Sequence, residues 1–86
     1  MTQKIDEGVS VTLVYDHERK KVFPKSILWQ RRLYPIIKLG LHHTFREGRT
    51  LYHVFSVASQ NLFFRLELNT ENLQWTLKEV SDGESN

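Results

Sequence analysis

Apolar and polar residues alternate along much of this chain. This pattern is typical of half-buried β-strands, and helical periodicity is nearly absent. The alternation predicts a first strand at 9–15, an extended run at 21–23, and strands at 26–29, 34–45, 51–58, 62–68 and 73–80. Pro24 cannot donate a hydrogen bond to a neighbouring strand, so we expect it on an edge strand or at a strand end. A short helix capped by Ser26 and stopped by Pro35 is the alternative for the segment between them.

Strand registers follow from keeping the apolar residues on one face, because a one-residue slip moves every side chain to the opposite face. A three-residue loop at Arg46-Glu47-Gly48 satisfies this rule for the strands on either side of it. The predicted pairs are Leu39 with Phe55, Leu41 with His53, His43 with Leu51, Phe55 with Phe64, Leu66 with Trp75 and Phe64 with Leu77. Trp75 is then a core residue, and we expect the same of Trp29. In the first half, a turn at Arg31-Arg32 pairs Trp29 with Tyr34.

These registers predict an all-β fold, an antiparallel meander of five to six strands curled into a small open barrel. The 86 residues are enough for one domain, which we assign to residues 1–86. Its ordered core is expected at about residues 8–80, followed by a polar tail at 81–86.

Composition excludes several classes of protein. No run of about 18 apolar residues is present, so we expect no membrane-spanning helix. The first residues, MTQKIDEG, lack the apolar stretch of a secretory signal. The absence of cysteine excludes disulfides, thiolate zinc sites and a cysteine nucleophile, so a cytoplasmic protein is expected.

Charge is unevenly distributed, although the formal net charge is only +2. Residues 17–49 carry nine basic residues against two acids, and residues 66–86 carry five acids against Lys78. The basic half is suited to phosphate backbones or acidic partners. Solubilising charge at turns explains the same pattern, and both interpretations stay open here.

Three of the four histidines lie in the stretch KLGLHHTFREGRTLYH, residues 38–53. In the preferred register His43 and His53 are diagonal neighbours on the apolar face, and His42 points to the other face. A zinc site needs three or four protein ligands, and no third donor joins the pair. A histidine-based metal site is therefore only the last alternative, and we assign no metal or cofactor.

Motifs for catalysis are also missing from the sequence. No serine lies in a Gly-x-Ser-x-Gly context, and paired carboxylates for acid–base chemistry are absent. The glycines are isolated rather than gathered in a phosphate-binding loop, and Gly40 is expected to mark a bulge or bend. We therefore expect no enzyme activity and assign no catalytic residue.

The run from Pro24 to Ile36 has the pattern P-x-x-I-x-W-x-x-R-x-Y-x-I, and Trp75 to Val80 reads W-x-L-x-x-V. This combination resembles a family of small, uncharacterised bacterial β-domains. The resemblance implies a β fold over most of residues 22–80 and implies no activity. Arg31 stands where the pattern leads us to expect a turn glycine.

Cations and aromatic residues together suggest a binding surface. The candidate residues are Arg31, Arg32, Lys38, His42, Tyr52, Phe63, Arg65 and Lys78. Most of them are expected on the outward face of the sheet, with Tyr52 beside His42. We predict a non-catalytic module that binds an unknown protein partner through this face or through the edge near Pro24. Binding of single-stranded nucleic acid, by base stacking and backbone charge, is the alternative.

Overall fold

Eight strands form the part of the chain that the structure describes, and all of them pair antiparallel. The computed structural model describes residues 1–82. In chain order the strands are β1 (Thr2–Gly8), β2 (Ser10–Asp16), β3 (Lys21–Trp29), β4 (Arg32–Pro35), β5 (Lys38–Glu47), β6 (Thr50–Ser59), β7 (Leu62–Asn69) and β8 (Gln74–Ser81). The predicted all-β, antiparallel class is confirmed. The strand count is higher than expected because the segment before residue 8 is also a strand, and the predicted strand 34–45 is divided between β4 and β5. The predicted runs 21–23 and 26–29 belong to one strand, β3.

The strands divide between two sheets, one of five strands in the order β1-β8-β7-β6-β5 and one of three in the order β2-β3-β4. The chain passes from one sheet to the other at Val9 and again at Ile36-Ile37. Backbone hydrogen bonds hold both corners: Val9 N donates to Trp75 O at 3.2 Å, and Ile37 N donates to Ala58 O at 2.9 Å. Corners at which the chain bends from one sheet into the other are typical of sheets that pack face to face. Within residues 1–82 the two sheets do not close into one barrel.

The core lies between the sheets. Ile27 of β3 packs against a buried cluster from the larger sheet, made of Phe55, Val57, Phe64, Leu66 and Leu77. Trp29 and Trp75 are partly buried against this cluster, in agreement with their prediction as core residues. The Trp29 indole also meets the ring of Phe64 edge-on, with centroids 6.5 Å apart, and its Nε1 donates to Glu7 Oε1 at 3.0 Å.

The predicted β6–β7 register keeps the right face but is displaced by two residues, and so is the part of the β7–β8 register that contains Leu66. A bulge between Arg65 and Leu66 displaces the rest of the β7–β8 register by three, so Phe64 lies opposite Val80 rather than Leu77. Phe55 lies opposite Leu66 rather than Phe64, and Leu66 lies opposite Leu77 rather than Trp75. An error of two residues leaves each side chain on its own face, because the strand period is two. The displacement comes from the turns: the β6–β7 loop is Gln60-Asn61, with Gln60 in the left-handed region at φ 55°.

The predicted β5–β6 register is wrong. Glu47 lies opposite Thr50, so the loop is Gly48-Arg49 rather than Arg46-Glu47-Gly48. The register shifts between Leu39 and His42, which makes Gly40 part of a bulge, as its isolation in the sequence predicted. A bulge inserts one extra residue and therefore reverses which side chains share a face. As a result His42, not His43, lies on the same face as Phe55.

Pro24 lies in the middle strand of the smaller sheet, so the predicted edge position is wrong. It is fully buried opposite Leu13, at a register shift that leaves Lys25 as an extra residue. This bulge accommodates a residue that cannot donate a hydrogen bond. The segment after it is strand rather than the alternative helix. It turns at Gln30-Arg31, so Trp29 lies opposite Arg32 and not Tyr34.

Of the predicted polar tail, Ser81 ends β8 and Asp82 is described, whereas residues 83–86 lie outside the described residues. No helix within residues 1–82 is long and apolar enough to cross a membrane.

Candidate binding cleft

A cleft opens between β5 and the β2–β3 hairpin. β5 and β2 are edge strands of different sheets, and a cavity of about 900 Å³ lies between these elements. The hairpin lines it with Leu13, Asp16, Arg19, Lys20, Lys21, Val22 and Phe23, and the larger sheet with Leu39, Gly40, Leu41, His42, His53, Phe55, Ser56, Leu68 and Thr70. The cavity is within the size range of small-molecule and peptide sites.

Apolar side chains are exposed on both walls of the cleft. Leu41 is 78% exposed and Leu39 47%, and across the opening Leu13 and Val22 are each 41% exposed. Single exposed apolar residues are ordinary, but a cluster that faces one cavity is typical of a binding surface. The sequence interpretation places both leucines on the buried face. Leu41 lies within the bulge, and Leu39, although opposite the buried Val57, is on the edge strand of the sheet.

Cations border one end of the cleft. Arg19, Lys20 and Lys21 follow one another at the end of the β2–β3 turn and line the cavity. The carboxylate of Asp16 is engaged in the turn itself. Its Oδ1 accepts from the backbone N of Glu18 at 3.0 Å and of Arg19 at 3.3 Å, and its Oδ2 lies 3.8 Å from Arg19 Nε. This end of the cleft is therefore positively charged.

Two histidines lie side by side on the β5–β6 wall. His42 Nε2 is 2.8 Å from His53 Nδ1, and the His42 ring stacks on Phe55 with centroids 4.2 Å apart. The predicted pair, His43 with His53, is wrong because the bulge exchanges the two faces of β5 for every residue after it. His43 lies opposite Val54, on the other face. The bulge at Gly40 was the signal that could have identified the true pair.

The surroundings of His42 disfavour its charged form. Loss of hydration lowers the pKa of His42 below its ordinary value, and positive charge on His53 and His43 lowers this pKa further. A hydrogen bond between two ring nitrogens requires one of them to be unprotonated, so one ring donates to the other. No group of three or more metal-ligating side chains occurs within residues 1–82. We therefore interpret the pair as an aromatic part of the cleft wall.

The structure brings together only some of the predicted binding residues. Lys38, Phe63 and Arg65 border one shallow cavity of about 380 Å³ on the outer face of the larger sheet. Tyr52 is on the same face, but it stacks on Phe45 with centroids 4.8 Å apart, and the predicted contact with His42 is wrong.

The other predicted residues are separate from that cavity or already paired. Arg31 and Arg32 lie at the β3–β4 turn of the smaller sheet, where the Arg32 guanidinium sits 5.3 Å from the centre of the Tyr34 ring. Arg65 is 3.1 Å from Glu79, which neutralises much of its charge.

Lys78 is paired as well: its Nζ is 2.8 Å from Asp6 Oδ1. The hydrogen bond between them lowers the pKa of Asp6 and raises the pKa of Lys78. The outer face is thus less basic than its sequence suggests.

Comparisons with protein families, with curated proteins and with solved structures found no match to this chain. The resemblance to bacterial β-domains stays a prediction. The residues that carry it have structural positions: Ile27 is a member of the buried cluster, and Trp29, Tyr34 and Ile36 pack against that cluster. Functional inference for this protein rests on its own geometry.

Proposed function

We propose that this protein is a non-catalytic protein-interaction module of the cytoplasm, which binds an extended segment of a partner along β5. The observation that carries the proposal is the character of this edge: β5 is ten residues long, borders the larger sheet, and is exposed throughout. An edge strand presents unpaired backbone N–H and C=O groups, on which a partner strand can form main-chain hydrogen bonds.

Two of the three other sheet edges, β4 and β1, are less suited to strand addition, and the third, β2, is shorter than β5 at seven residues. β4 has four residues and ends at Pro35, and β1 carries Lys4, Asp6 and Glu7 along its seven residues. Short strands and charges are the devices that protect edges from pairing. β5 is longer, and it presents Leu39 and Leu41 beside the cleft, so an added strand can bury apolar side chains there as well.

Replacing Leu41 with asparagine tests the proposal. Ten-residue peptides, the length of β5, are selected from a displayed random library on the wild-type protein. We expect the selected peptides to shift the amide resonances of β5 in two-dimensional NMR spectra. The substitution removes an apolar contact of about 1.5–3 kcal/mol, which corresponds to about tenfold weaker binding or more.

The matched control is Leu33→Asn on β4. Leu33 is 59% exposed and lies outside the cleft, so this substitution is expected to leave peptide affinity unchanged. Peptides that shift the smaller sheet instead of β5, or that bind Leu41→Asn as tightly as wild type, would contradict the proposal.

Single-stranded nucleic acid is the second candidate ligand, and one arrangement favours it. Lys38, Phe63 and Arg65 surround one cavity, where the exposed Phe63 ring is available for base stacking. This candidate predicts oligonucleotide binding that weakens steeply as salt rises, and that Phe63→Ala reduces. Fluorescence anisotropy with a labelled oligothymidine measures it. The absence of binding by micromolar protein at low salt would eliminate this candidate.

A further inference from the structure

We infer that the segment bound along β5 is acidic, with apolar side chains directed into the cleft and carboxylates that meet its cations. This inference rests on the proposed function and adds the chemistry of the partner. Three features carry it: the positive end of the cleft, the cations at both ends of β5, and the apolar walls between them.

The charge around the cleft is unbalanced. Arg19, Lys20 and Lys21 line the cavity, and the one acid that lines it, Asp16, is held by its own turn and by Arg19. Arg19 is thus already paired with Asp16, but an acidic segment meets Lys20 and Lys21 at this end without having to displace a carboxylate. Charges of one sign around a cleft attract ligands of the opposite sign and increase their rate of association.

Cations also flank β5 itself. Lys38 begins the strand, Arg46 precedes its last residue, and Arg49 follows in the turn, against a single acid, Glu47. A strand that pairs with β5 therefore places its own side chains beside these cations. Opposite charges on neighbouring strands are stabilising, whereas like charges directly opposite each other are destabilising.

The same charges argue against a second copy of this chain as the occupant. Pairing β5 with β5 of another copy would bring two sets of Lys38, Arg46 and Arg49 close together. An acidic partner segment removes that repulsion. The apolar walls, with Leu13 and Val22 facing Leu39 and Leu41, select segments whose apolar residues recur at every second position, because alternate side chains of a strand share a face.

The test compares three labelled ten-residue peptides, the length of β5, in which valine alternates with glutamate, with serine or with lysine. We expect the glutamate peptide to bind most tightly, to shift the β5 amides, and to weaken between about 20 mM and about 200 mM salt. The lysine peptide is expected to bind least. Fluorescence anisotropy gives the affinities, and NMR gives the location.

Charge reversal supplies the matched variants. Lys20→Glu/Lys21→Glu is expected to weaken binding of the glutamate peptide by about tenfold or more and to improve binding of the lysine peptide. Lys4→Glu/Lys25→Glu changes the net charge equally, but at positions outside the cleft, and is expected to leave both affinities within about twofold. All four lysines are exposed, and superimposable NMR spectra away from the substitutions establish that each variant is folded.

The possible failures are distinguishable. Equal binding of the glutamate and serine peptides at β5 would overturn the acidic inference and leave the proposed function in place. Shifts that avoid β5 for every peptide would overturn both. Dimerisation of the wild-type protein through β5 would assign the edge to a second copy. Displacement of the glutamate peptide by an oligonucleotide that binds Lys20 and Lys21 would assign these cations to phosphate. Either result would overturn the inference.

Discussion

Replacing Ile27 with alanine is expected to lower the free energy of unfolding by about 2–5 kcal/mol. Within residues 1–82, Ile27 is the member of the buried apolar cluster that the smaller sheet contributes, and it is completely inaccessible to solvent. Its truncation leaves a cavity at the contact between the two sheets. A domain of this size has about 5–15 kcal/mol of stability in total, so the loss is a large fraction of it.

Urea unfolding followed by tryptophan fluorescence measures the effect, since Trp29 and Trp75 both pack against this cluster. Thermal unfolding provides a second measurement, with about 4–8 °C expected for each kcal/mol. The control is Leu28→Ala at the next position, where the side chain is 46% exposed and the expected loss is below about 1 kcal/mol. Equal losses for the two substitutions would show that Ile27 does not hold the sheets together.

Replacing Gly40 with alanine is expected to destabilise the protein by about 1–3 kcal/mol, the usual cost of overfilling a packed site. A Cβ added at Gly40 would lie 2.9 Å from the backbone oxygen of Ser56, closer than real Cβ contacts. Since the opposing atom belongs to the backbone of β6, β5 has to move to accept the methyl group. We expect the displacement to distort the bulge and with it the His42–His53 contact.

The matched control is Gly8→Ala. The nearest atom to a Cβ at Gly8 is the Trp75 backbone oxygen at 4.0 Å, an ordinary contact, so the expected change is within about 0.5 kcal/mol. Urea unfolding compares the two variants, and the NMR resonances of His42 and His53 report on the bulge. An alanine at Gly40 that is as harmless as the one at Gly8 would mean that β5 is free to shift at this point.

The buried face of the larger sheet could be predicted from the sequence because it depends only on which alternate positions of each strand are apolar. Phe55, Val57, Phe64, Leu66 and Leu77 keep a strict period of two, and a pairing error of two residues does not move them to the other face. The faces of β5 could not be obtained in this way. Gly40 predicted a bulge or bend, but the predicted register contained no extra residue there, and the bulge places His42 instead of His43 on the face of Phe55.

β1 was missed for a different reason. Its segment, TQKIDEG, has almost no apolar alternation, and it becomes a strand through hydrogen bonds to β8 at the other end of the chain. Tertiary context of this kind overrides local preference. The same pairing places Asp6 beside Lys78. The sequence therefore contained no sign that the charge of Lys78 is neutralised.

The candidate cleft lay beyond sequence reasoning because its walls come from different sheets. The clustering of basic residues over 17–49 was visible, and it contains the β2–β3 turn and all of β5. Which of these cations share a cavity depends on the distance between the sheets. That distance is set by core packing around Ile27, a contact that strand periodicity does not specify.

The pairing of β1 with β8 makes the two edges of the larger sheet differ in how they form. Every other strand pair of the described chain joins consecutive strands. This pair joins the first strand to the last, so the loop that it closes contains all the others. The entropy cost of closing a loop grows with its length, so we expect β1 to pair with β8 only after the intervening strands are ordered. β5 lies at the opposite edge, with three strands between them. The edge proposed to receive a partner is thus supported by local hairpin contacts and does not depend on the final closure of the fold.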